Sequence, residues 1–380
     1  MKLCTVAIAV AVFVLPLVAP LAATAKCSDT LIPSPNPGAY PSSLSGIAGL
    51  SDTDIWAVGY ARYPPGTSQT LIEHWNGAMW SIVPSPNAPG ASITQLSGVT
   101  EISTLDAWAI GGYNLRHFSF EQHQLKERWD GTAWTAFPEN DEVTLASISS
   151  VPGDPTSVWA VGWRFPHCIP LYCPVLYMEH WNGTLWRVFG GGGPGQLNAV
   201  LALPHDTVWA VGYFIPRVGG SDMTAIVHRS HGKVSPIPTQ GSALYGILSG
   251  VAGTSDQNVW IVGSRYSGSP IVEHWNGSGW TDYQIPHPKY TTVQSVSVAS
   301  PTDVWIAGYH RTDPQSSSVY PYLAHWNGST WTFNSRSPIG SDQGDISGLY
   351  QSTTGVWTAG FADLYNPSTV TETFTTFAHC

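Results

Sequence analysis

The sequence predicts an all-β fold, namely a β-propeller of seven blades with four antiparallel strands each. A motif of the form Asp-x-Trp-Ala-Val-Gly returns about every 50 residues along the 380-residue chain. Each copy contains four short runs rich in aromatic and β-branched residues, separated by Gly, Pro, Asn and Ser. Apolar residues nowhere follow a sustained helical period, so we expect almost no helix. The leading Trp of the seven copies lies at Trp56, Trp108, Trp159, Trp209, Trp260, Trp305 and Trp357.

The first copy shows how one blade is organised. Its strand-like runs cover residues 44–49, 55–60 and 71–75, followed by a run that begins near Trp80. The first run of each copy consists mainly of small residues such as serine and glycine. Small side chains suit the narrow, central end of a wedge-shaped blade. We therefore expect the first strand of each blade to line the central axis.

A second motif, Trp-Asn-Gly-x-x-Trp, connects the third and fourth runs and extends from Trp75 to Trp80 in the first copy. Asn-Gly and Asp-Gly are typical of two-residue type I′ turns, because both central residues adopt positive φ at little cost. With such a turn, Trp75 would face Ala78 and lie diagonal to Trp80. The fourth copy, residues 229–234, has lost this motif. The Asn-Gly and Asp-Gly pairs are Asn76-Gly77, Asp130-Gly131, Asn182-Gly183, Asn276-Gly277 and Asn327-Gly328.

These two motifs resemble the repeats of bacterial secreted propellers, in the group of the kelch and galactose-oxidase central domains. The hairpin also resembles the Asp-box of sialidases and photosystem II assembly factors, which carry Asp-x-Gly-x-Thr-Trp at this point. Asn replaces the acid in most copies of this chain. The resemblance covers residues 28–380 and implies a propeller. Because these families include enzymes, lectin-like binders and assembly factors, it implies no single function.

The seventh copy lacks a fourth strand, and the N-terminal segment contains a match for it. Residues 31–36 read Leu-Ile-Pro-Ser-Pro-Asn, close to Ile-Val-Pro-Ser-Pro-Asn at 82–87. We therefore predict that residues 28–36 form the outer strand of the last blade and pair with residues 370–379. This pairing would close the ring and make residues 26–380 a single propeller domain.

Residues 1–25 contain Lys2, a long apolar run and an Ala-Thr-Ala site. They predict a secretory signal peptide that is cut before Lys26, with an uncleaved anchor as the alternative. An even number of cysteines then remains, which in an exported chain indicates two disulfides. Three pairings are possible, and sequence position favours Cys27–Cys380 and Cys168–Cys173.

The charge pattern narrows the class of partner. The formal net charge is −10, only 11% of the residues are charged, and basic clusters are missing. This composition argues against nucleic acid and anionic membrane surfaces as partners. The sequence contains no calcium-loop or zinc-ligand pattern, so we expect no metal and no cofactor. We expect a monomer that is secreted or held in the cell envelope, without stable membrane insertion after cleavage.

Several polar residues recur with the repeat. The His before the third-run Trp is interpreted as a buried polar group tied to a turn, in preference to a metal-binding or pH-sensing ring. The Asp before the second-run Trp is interpreted as an Asx-turn residue, and the recurring Glu as structural. These residues are His74, His180, His274, His325 and His379, with Asp54, Asp106, Asp206 and Asp303, and Glu73, Glu179 and Glu273.

The candidate binding residues begin the loop between the second and third strands, where an aromatic residue and an arginine occur together in six of the seven copies. Propellers present these loops on one face, and binding residues concentrate in loops. Aromatic faces stack on sugar rings, and arginine binds carboxylate or phosphate. Alternatively, each Arg stacks on its own aromatic or pairs with a neighbouring acid. The candidates are Tyr60, Arg62, Tyr113, Arg116, Trp163, Arg164, Tyr213, Arg217, Arg265, Tyr266, Tyr309 and Arg311.

We therefore expect a non-catalytic binding module for a carbohydrate or a protein surface. One alternative is a secreted polysaccharide hydrolase or lyase of the sialidase-like propeller type, and another is a structural protein of the cell envelope. The enzyme is less favoured because the acids on the predicted axial strands amount to Glu101 and Asp345. Its loop carboxylates would be Asp141, Glu142, Asp222, Asp313 or Asp363.

Overall fold

The computed structural model describes most of the chain beyond residue 26. The described residues are 27–37, 40–64, 66–115, 122–165, 174–189, 192–216, 221–237, 244–286, 288, 290–334, 343–363 and 371–379. The predicted signal peptide, the candidates Arg116 and Arg217, and Cys168, Cys173 and Cys380 lie outside these ranges.

The described regular structure is built from β-strands, which form seven antiparallel groups of four strands. These groups are called units 1 to 7 and numbered along the chain. The strand β1 (Ser28–Ile32) comes first and belongs to unit 7. Unit 1 contains β2 (Ser42–Ser51), β3 (Asp54–Tyr63), β4 (Thr67–Trp75) and β5 (Trp80–Ile82), and unit 2 contains β6 (Ile93–Ser103), β7 (Asp106–Asn114), β8 (His123–Trp129) and β9 (Trp134–Pro138).

The remaining units follow the same order. Unit 3 contains β10 (Val143–Ser150), β11 (Val158–Arg164), β12 (Val175–Trp181) and β13 (Trp186–Val188). Unit 4 contains β14 (Gly195–Leu203), β15 (Thr207–Phe214), β16 (Met223–Ser230) and β17 (Lys233–Pro236). Unit 5 contains β18 (Gly246–Ser255), β19 (Asn258–Arg265), β20 (Pro270–Trp275) and β21 (Trp280–Asp282). Unit 6 contains β22 (Thr291–Ser300), β23 (Asp303–His310), β24 (Tyr320–Trp326) and β25 (Trp331–Asn334). Unit 7 contains β26 (Gln343–Gln351), β27 (Val356–Asp363), β28 (Thr371–His379) and β1.

The strands form six sheets, of which five have four strands and one has eight. The eight-stranded sheet comprises units 1 and 2, which are joined by a single parallel pairing of Ser68 with Ile93. In unit 7, β1 pairs antiparallel with β28, from Ser28 opposite His379 to Ile32 opposite Thr375. Both ends of the described chain therefore lie in one sheet. The described residues contain no helix that is long and apolar enough to cross a membrane.

The first strands of neighbouring units contact one another around a central cavity. These contacts lead from β2 through β6, β10, β14, β18 and β22 to β26, and β26 in turn contacts β2. The cavity has a volume of about 190 Å³ and is lined by residues of all seven first strands. A Cβ atom added to Gly46 would lie 2.9 Å from the Cα of Gly98. Such a close approach of two backbones requires glycine, which explains the small residues of the first run.

Antiparallel order gives every unit two distinct ends. The upper end carries the connections between second and third strands and the connections to the next unit. The lower end carries the connections between first and second strands and the Trp-Asn-Gly hairpin loops.

The second-strand tryptophans join neighbouring units. Trp56 of unit 1 is buried, and its ring centroid lies 5.1 Å from that of Trp129 and 5.2 Å from that of Trp134, both in unit 2. Trp357 of unit 7 makes the same contact with Trp75 and Trp80 of unit 1, at 5.0 and 6.1 Å. Each such aromatic pair contributes about 0.5–1.5 kcal/mol beyond the burial of its surface. The repeated tryptophans thus stabilise the contacts between units.

The predicted type I′ turns are wrong for the Trp-Asn-Gly hairpins. Trp75 pairs directly with Trp80 across a four-residue loop, and only Gly77 of the Asn-Gly pair has positive φ. The side-chain oxygen of Asn76 accepts hydrogen bonds from the backbone N–H groups of Ala78 and Met79, both at 3.0 Å. This Asx-type capping stabilises the longer loop. The equivalent Asp130, Asn182, Asn276 and Asn327 make the same bonds.

The altered fourth copy has the turn that was predicted for the others. In unit 4, Ser230 pairs with Lys233, and both His231 and Gly232 between them have positive φ, of 51° and 79°. Positive φ at both central residues defines the two-residue type I′ geometry. Without an Asn or Asp side chain to cap a longer loop, the strands of this unit are joined by the tighter turn.

The recurring Asp residues bind the third strand, which corrects their interpretation as Asx-turn residues. Asp54 lies 2.6 Å from Nε2 of His74, and Asp303 lies 2.8 Å from Nε2 of His325. Where the third strand carries Arg128, its guanidinium donates two hydrogen bonds of 2.9 Å to Asp106. Asp206 pairs with Arg229 in the same way. The recurring histidines are thus tied to groups at the lower end, as expected for a structural role.

Candidate functional site

Strand register shows which candidate residues share a position at the upper end. Tyr60 lies opposite Ser43, and Trp163, Tyr213 and Tyr309 occupy the equivalent place in units 3, 4 and 6. In unit 2 this place is taken by Gly112, opposite Gln95. Tyr113 comes one residue later and so faces the other side of its strand.

Tyr113 is a core residue and does not belong to an exposed rim. It is only 5% exposed and packs in the hydrophobic cluster between units 1 and 2. Its hydroxyl donates a hydrogen bond to the backbone oxygen of Glu139 at 3.3 Å. An extra glycine in the sequence of β7 causes this reversal, because a shift of one residue turns a side chain to the opposite face.

Most of the other upper-end candidates engage neighbouring groups. The guanidinium of Arg62 lies 5.4 Å from the ring centroid of Tyr60, and that of Arg311 lies 4.9 Å from Tyr309. These two pairs match the alternative in which each arginine stacks on its own aromatic residue.

Unit 5 matches the second part of that alternative, in which a residue of the pair binds a neighbouring acid. Arg265 donates to Asp282 at 3.1 Å, and the exposed Tyr266 donates from its hydroxyl to Asp222 at 2.6 Å. In unit 3, Trp163 is half-buried and Arg164 is exposed.

One pocket at the upper end combines two of the predicted residues with residues that the sequence did not indicate. It lies between units 1 and 2 and has a volume of about 470 Å³. We call it the unit 1–2 pocket. Unit 1 contributes Tyr60, Arg62, Gly66, Thr67 and Ser68, and unit 2 contributes Ile93, Gln95, Asn114 and Gln122.

The missing side chain at Gly112 shapes this pocket. A Cβ atom there would lie 2.5 Å from Nε2 of Gln122, so the Gln122 side chain occupies the space that a larger residue would fill. Its Oε1 atom accepts a hydrogen bond from the hydroxyl of Thr144 at 3.1 Å, which fixes the orientation of the amide. The adjacent glycines Gly111 and Gly112 were the signal in the sequence that could have revealed the pocket. The other units carry Tyr60, Trp163, Tyr213, Ser264, Tyr309 and Phe361 at this place.

Hydrogen bonds between the two units hold one of the lining residues of the pocket, Ser68. The N–H of Ser68 donates to the backbone oxygen of Ser92, and its hydroxyl donates to that of Thr94, both at 3.2 Å. The parallel pairing of Ser68 with Ile93 is at the same place. Ser68 and Ile93, two lining residues of the pocket, thus form a direct link between units 1 and 2.

A second polar cluster lies between units 2 and 3. Lys126 is fully buried, and its Nζ lies 2.5 Å from Oε1 of Glu139 and 3.1 Å from Oε1 of Glu179. Gln124 donates to both Glu139 and Asp141, and Tyr177 donates to Glu179 at 3.1 Å. Burial raises the pKa of Glu179 to about 7, although the lysine opposes this shift. Because most of these groups are enclosed, the cluster joins the two units and offers little surface to a ligand.

A carboxyl pair lies at the lower end. Burial and the neighbouring Asp54 carboxylate raise the pKa of Glu101 to about 8. Asp54 is itself held by His74.

Among the described residues no group of His, Cys, Asp and Glu is suited to bind a metal ion.

The loop carboxylates of the enzyme alternative lie in different units. Asp222 accepts from Tyr266, Asp141 from Gln124, and Asp313 from the N–H of Gln315. The backbone oxygen of Glu142 accepts from Phe165, and Asp363 lies at the end of β27. These contacts are local, and they do not bring the acids named here together in one pocket.

Comparison with known proteins gives the fold. No protein-family model matches the chain, and no curated protein matches its sequence. YCF48 bound to a D1 peptide has a TM-score of 0.55 and 13% identity, over 92% of this chain and 96% of that chain. YCF48 from Cyanidioschyzon merolae has a TM-score of 0.51 and 13% identity, over 92% of this chain and 98% of that chain.

A third similar structure is the GH74 xyloglucanase from Xanthomonas campestris, with a TM-score of 0.53 and 10% identity. The match covers 88% of this chain but 53% of that enzyme, so this chain spans about half of the enzyme's length. At these identities the similarities concern the fold alone, which is that of the β-propellers.

Proposed function

We propose that this chain is an exported, monomeric, seven-bladed propeller that binds carbohydrate through the unit 1–2 pocket without catalysing a reaction. The observation that carries the proposal is the lining of this pocket, in which one aromatic ring lies among side chains that form hydrogen bonds. Sugars are bound by such a combination, since the ring packs on the C–H face and the polar groups bind hydroxyls. The volume of about 470 Å³ is adequate for a small saccharide.

Seven blades and a closed ring are part of this proposal. Seven four-stranded units, the contact of Trp357 with Trp75 and Trp80, and a central cavity lined by all first strands support it. The units would then be the blades, and residues 26–380 a single domain. Export is supported by the signal-peptide pattern of residues 1–25.

A disulfide between Cys27 and Cys380 would lock the ring. This pairing is supported by the register of β1 and β28, in which Ser28, the residue after Cys27, lies opposite His379, the residue before Cys380. On the chain-entropy estimate, a bridge across so long a loop contributes about 4–5 kcal/mol. The Cys168–Cys173 bridge remains the second pairing of this proposal.

The test is binding of purified mature protein to a broad glycan array. We expect selective binding that falls by roughly tenfold or more in Tyr60→Ala and Gln95→Ala, because each removes a contact of the pocket. Tyr245→Ala, which removes an exposed tyrosine outside the pocket, serves as the control and should bind as the parent does.

Three results would contradict this proposal. Absence of binding to any glycan would reject a carbohydrate site and leave a protein surface as the partner. Binding that persists in both pocket variants would place the site elsewhere. Release of reducing ends from a bound glycan would favour the hydrolase alternative.

A further inference from the structure

The unit 1–2 pocket carries a positive charge, whereas the chain as a whole is acidic. Arg62 is the only charged residue among its lining residues, whereas the whole chain has a formal net charge of −10. The other lining residues with polar side chains are neutral, namely Tyr60, Thr67, Ser68, Gln95, Asn114 and Gln122. An acidic protein thus presents one cation, without a lining carboxylate, in this upper-end pocket.

Arg62 also differs from the ion-paired arginines of the repeat. Arg128 and Arg229 pair with aspartates of their own units, and Arg265 pairs with Asp282. Arg62 forms no ion pair with any described residue, and its guanidinium lies over the ring of Tyr60. Stacking on a ring orients a guanidinium but leaves its N–H donors in the plane available. The donors of Arg62 are therefore oriented, and no carboxylate among the described residues pairs with them.

We propose that the ligand of this pocket is an acidic saccharide, in which a sugar carboxylate accepts two hydrogen bonds from Arg62. This inference rests on the proposed function and adds its substrate class. The planar guanidinium matches a carboxylate in a bidentate geometry, and this charged pair is stronger than a neutral hydrogen bond. Tyr60 would lie against the sugar ring, while the amides of Gln95 and Gln122 bind hydroxyl groups.

The lining favours a saccharide over a peptide with a free carboxylate. Ile93 is the only aliphatic side chain among the lining residues, so the pocket offers little apolar surface for a peptide side chain. Hydroxyl and amide groups make up most of the lining instead. A peptide carboxylate at Arg62 is therefore an outcome that would overturn the inference.

The experiment compares each acid with its own neutral form. Isothermal titration of the mature protein would use trisaccharides of galacturonate, glucuronate, mannuronate and guluronate, each beside its methyl ester. We expect at least one acid to bind roughly tenfold or more tightly than its ester, because the ester cannot form the ion pair. Its affinity should fall between low and high NaCl concentration, while that of the ester stays constant.

Variants of Arg62 test whether the preference for the acid over its ester depends on this residue. Arg62→Gln should remove the preference for the acid over its ester, whereas Arg62→Lys should retain part of that preference. Arg187→Gln removes an exposed arginine of β13 and serves as the matched control, with the parent's preference expected. Thermal unfolding of each variant verifies that the fold is intact.

The outcomes separate this inference from the proposed function. Equal affinity for acids and esters, both lost in Tyr60→Ala, would overturn the acidic ligand and retain a carbohydrate site. A preference that survives Arg62→Gln would also overturn it. Binding of a sulfated saccharide or of a peptide carboxylate, with no uronate bound, would replace the carboxylate sugar as the ligand. No binding of any saccharide would reject both.

Discussion

At the scale of single residues, the repeat leaves acidic side chains buried between units. Glu73, Glu127, Glu179 and Glu273 occupy equivalent positions of third strands and are 0–2% exposed. Burial raises the pKa of Glu73 and Glu127 to about 8, and that of Glu179 and Glu273 to about 7. Ser34 donates to Glu73 and Lys126 pairs with Glu179, whereas neither carboxyl oxygen of Glu127 has a hydrogen-bond partner among the described residues. Glu127 is thus the least compensated of the four.

A prediction for pH dependence follows at this scale. A carboxyl whose pKa is raised in the folded state stabilises the fold below its unfolded pKa, near 4.5, and loses this contribution as the pH rises to about 8. We therefore expect the free energy of unfolding to fall from pH 5 to pH 8. Glu127→Gln should reduce this fall and stabilise the protein at pH 8 by roughly 1–3 kcal/mol.

Urea unfolding at pH 5, 6.5 and 8 measures this effect. Asp313→Asn, at an exposed aspartate, is the control and should give a curve parallel to that of the parent. If Glu127→Gln and Asp313→Asn show the same pH dependence as the parent, Glu127 does not titrate in this range.

At the scale of strands and units, the residue at the position of Lys126 can be compared between the units. Lys126 corresponds to Ile72, Met178, Ile226, Val272 and Leu323 in units 1 and 3 to 6. Most interfaces between units are thus closed by apolar residues at this position. Between units 3 and 4, Met178 packs in a cluster with Val227, which corresponds to Glu179. A charged interface is therefore not required by the fold.

A double-mutant cycle tests this comparison. Lys126→Met should destabilise the protein by about 3–5 kcal/mol, because it leaves the buried Glu179 without its cation. Lys126→Met combined with Glu179→Val copies the interface of units 3 and 4 and should restore most of that loss. Chemical unfolding at pH 8 gives the four free energies. Additive effects of the two single changes would show that Lys126 and Glu179 are not coupled.

At the scale of the whole molecule, β1 joins the beginning of the described chain to its end. Besides its pairing with β28, the segment that follows β1 makes side-chain contacts. The hydroxyl of Ser34 donates to Glu73 of unit 1 at 2.6 Å, and the N–H of Thr373 donates to the side-chain oxygen of Asn36 at 2.8 Å. Residues 28–36 therefore contact both the last unit and the first.

Removal of this segment tests its contribution. A variant that lacks residues 27–36 should unfold at lower temperature than the mature chain, because unit 7 loses a strand and its edge becomes unpaired. A peptide of residues 27–37 should raise the unfolding temperature again in proportion to its concentration, as a ligand of the folded state does. Calorimetry under reducing conditions measures both effects.

A second peptide is the control for this experiment. Ser34→Ala and Asn36→Ala within the peptide remove its side-chain contacts and should weaken the rescue. An unchanged unfolding temperature of the shortened variant would indicate that β1 does not stabilise unit 7.

The sequence by itself determined the all-β class, the seven copies of one four-stranded unit and the pairing of β1 with β28. These features depend on the local alternation of residues and on the repeat, and both can be read from the order of residues along the chain. For the site, it indicated the upper-end loops and two residues of the pocket, Tyr60 and Arg62.

Only the tertiary structure decided which side chains lie in the core and which line the same pocket. Tyr113 follows a glycine as Tyr60 does but faces the core, because one extra glycine in β7 moves it to the other side of the strand. The hairpins have four-residue loops because side-chain capping of the backbone outweighs the turn preference of Asn-Gly. The unit 1–2 pocket brings Arg62 close to Gln95 and Gln122, and Trp56 contacts the next unit, because residues distant in sequence meet only when neighbouring units pack.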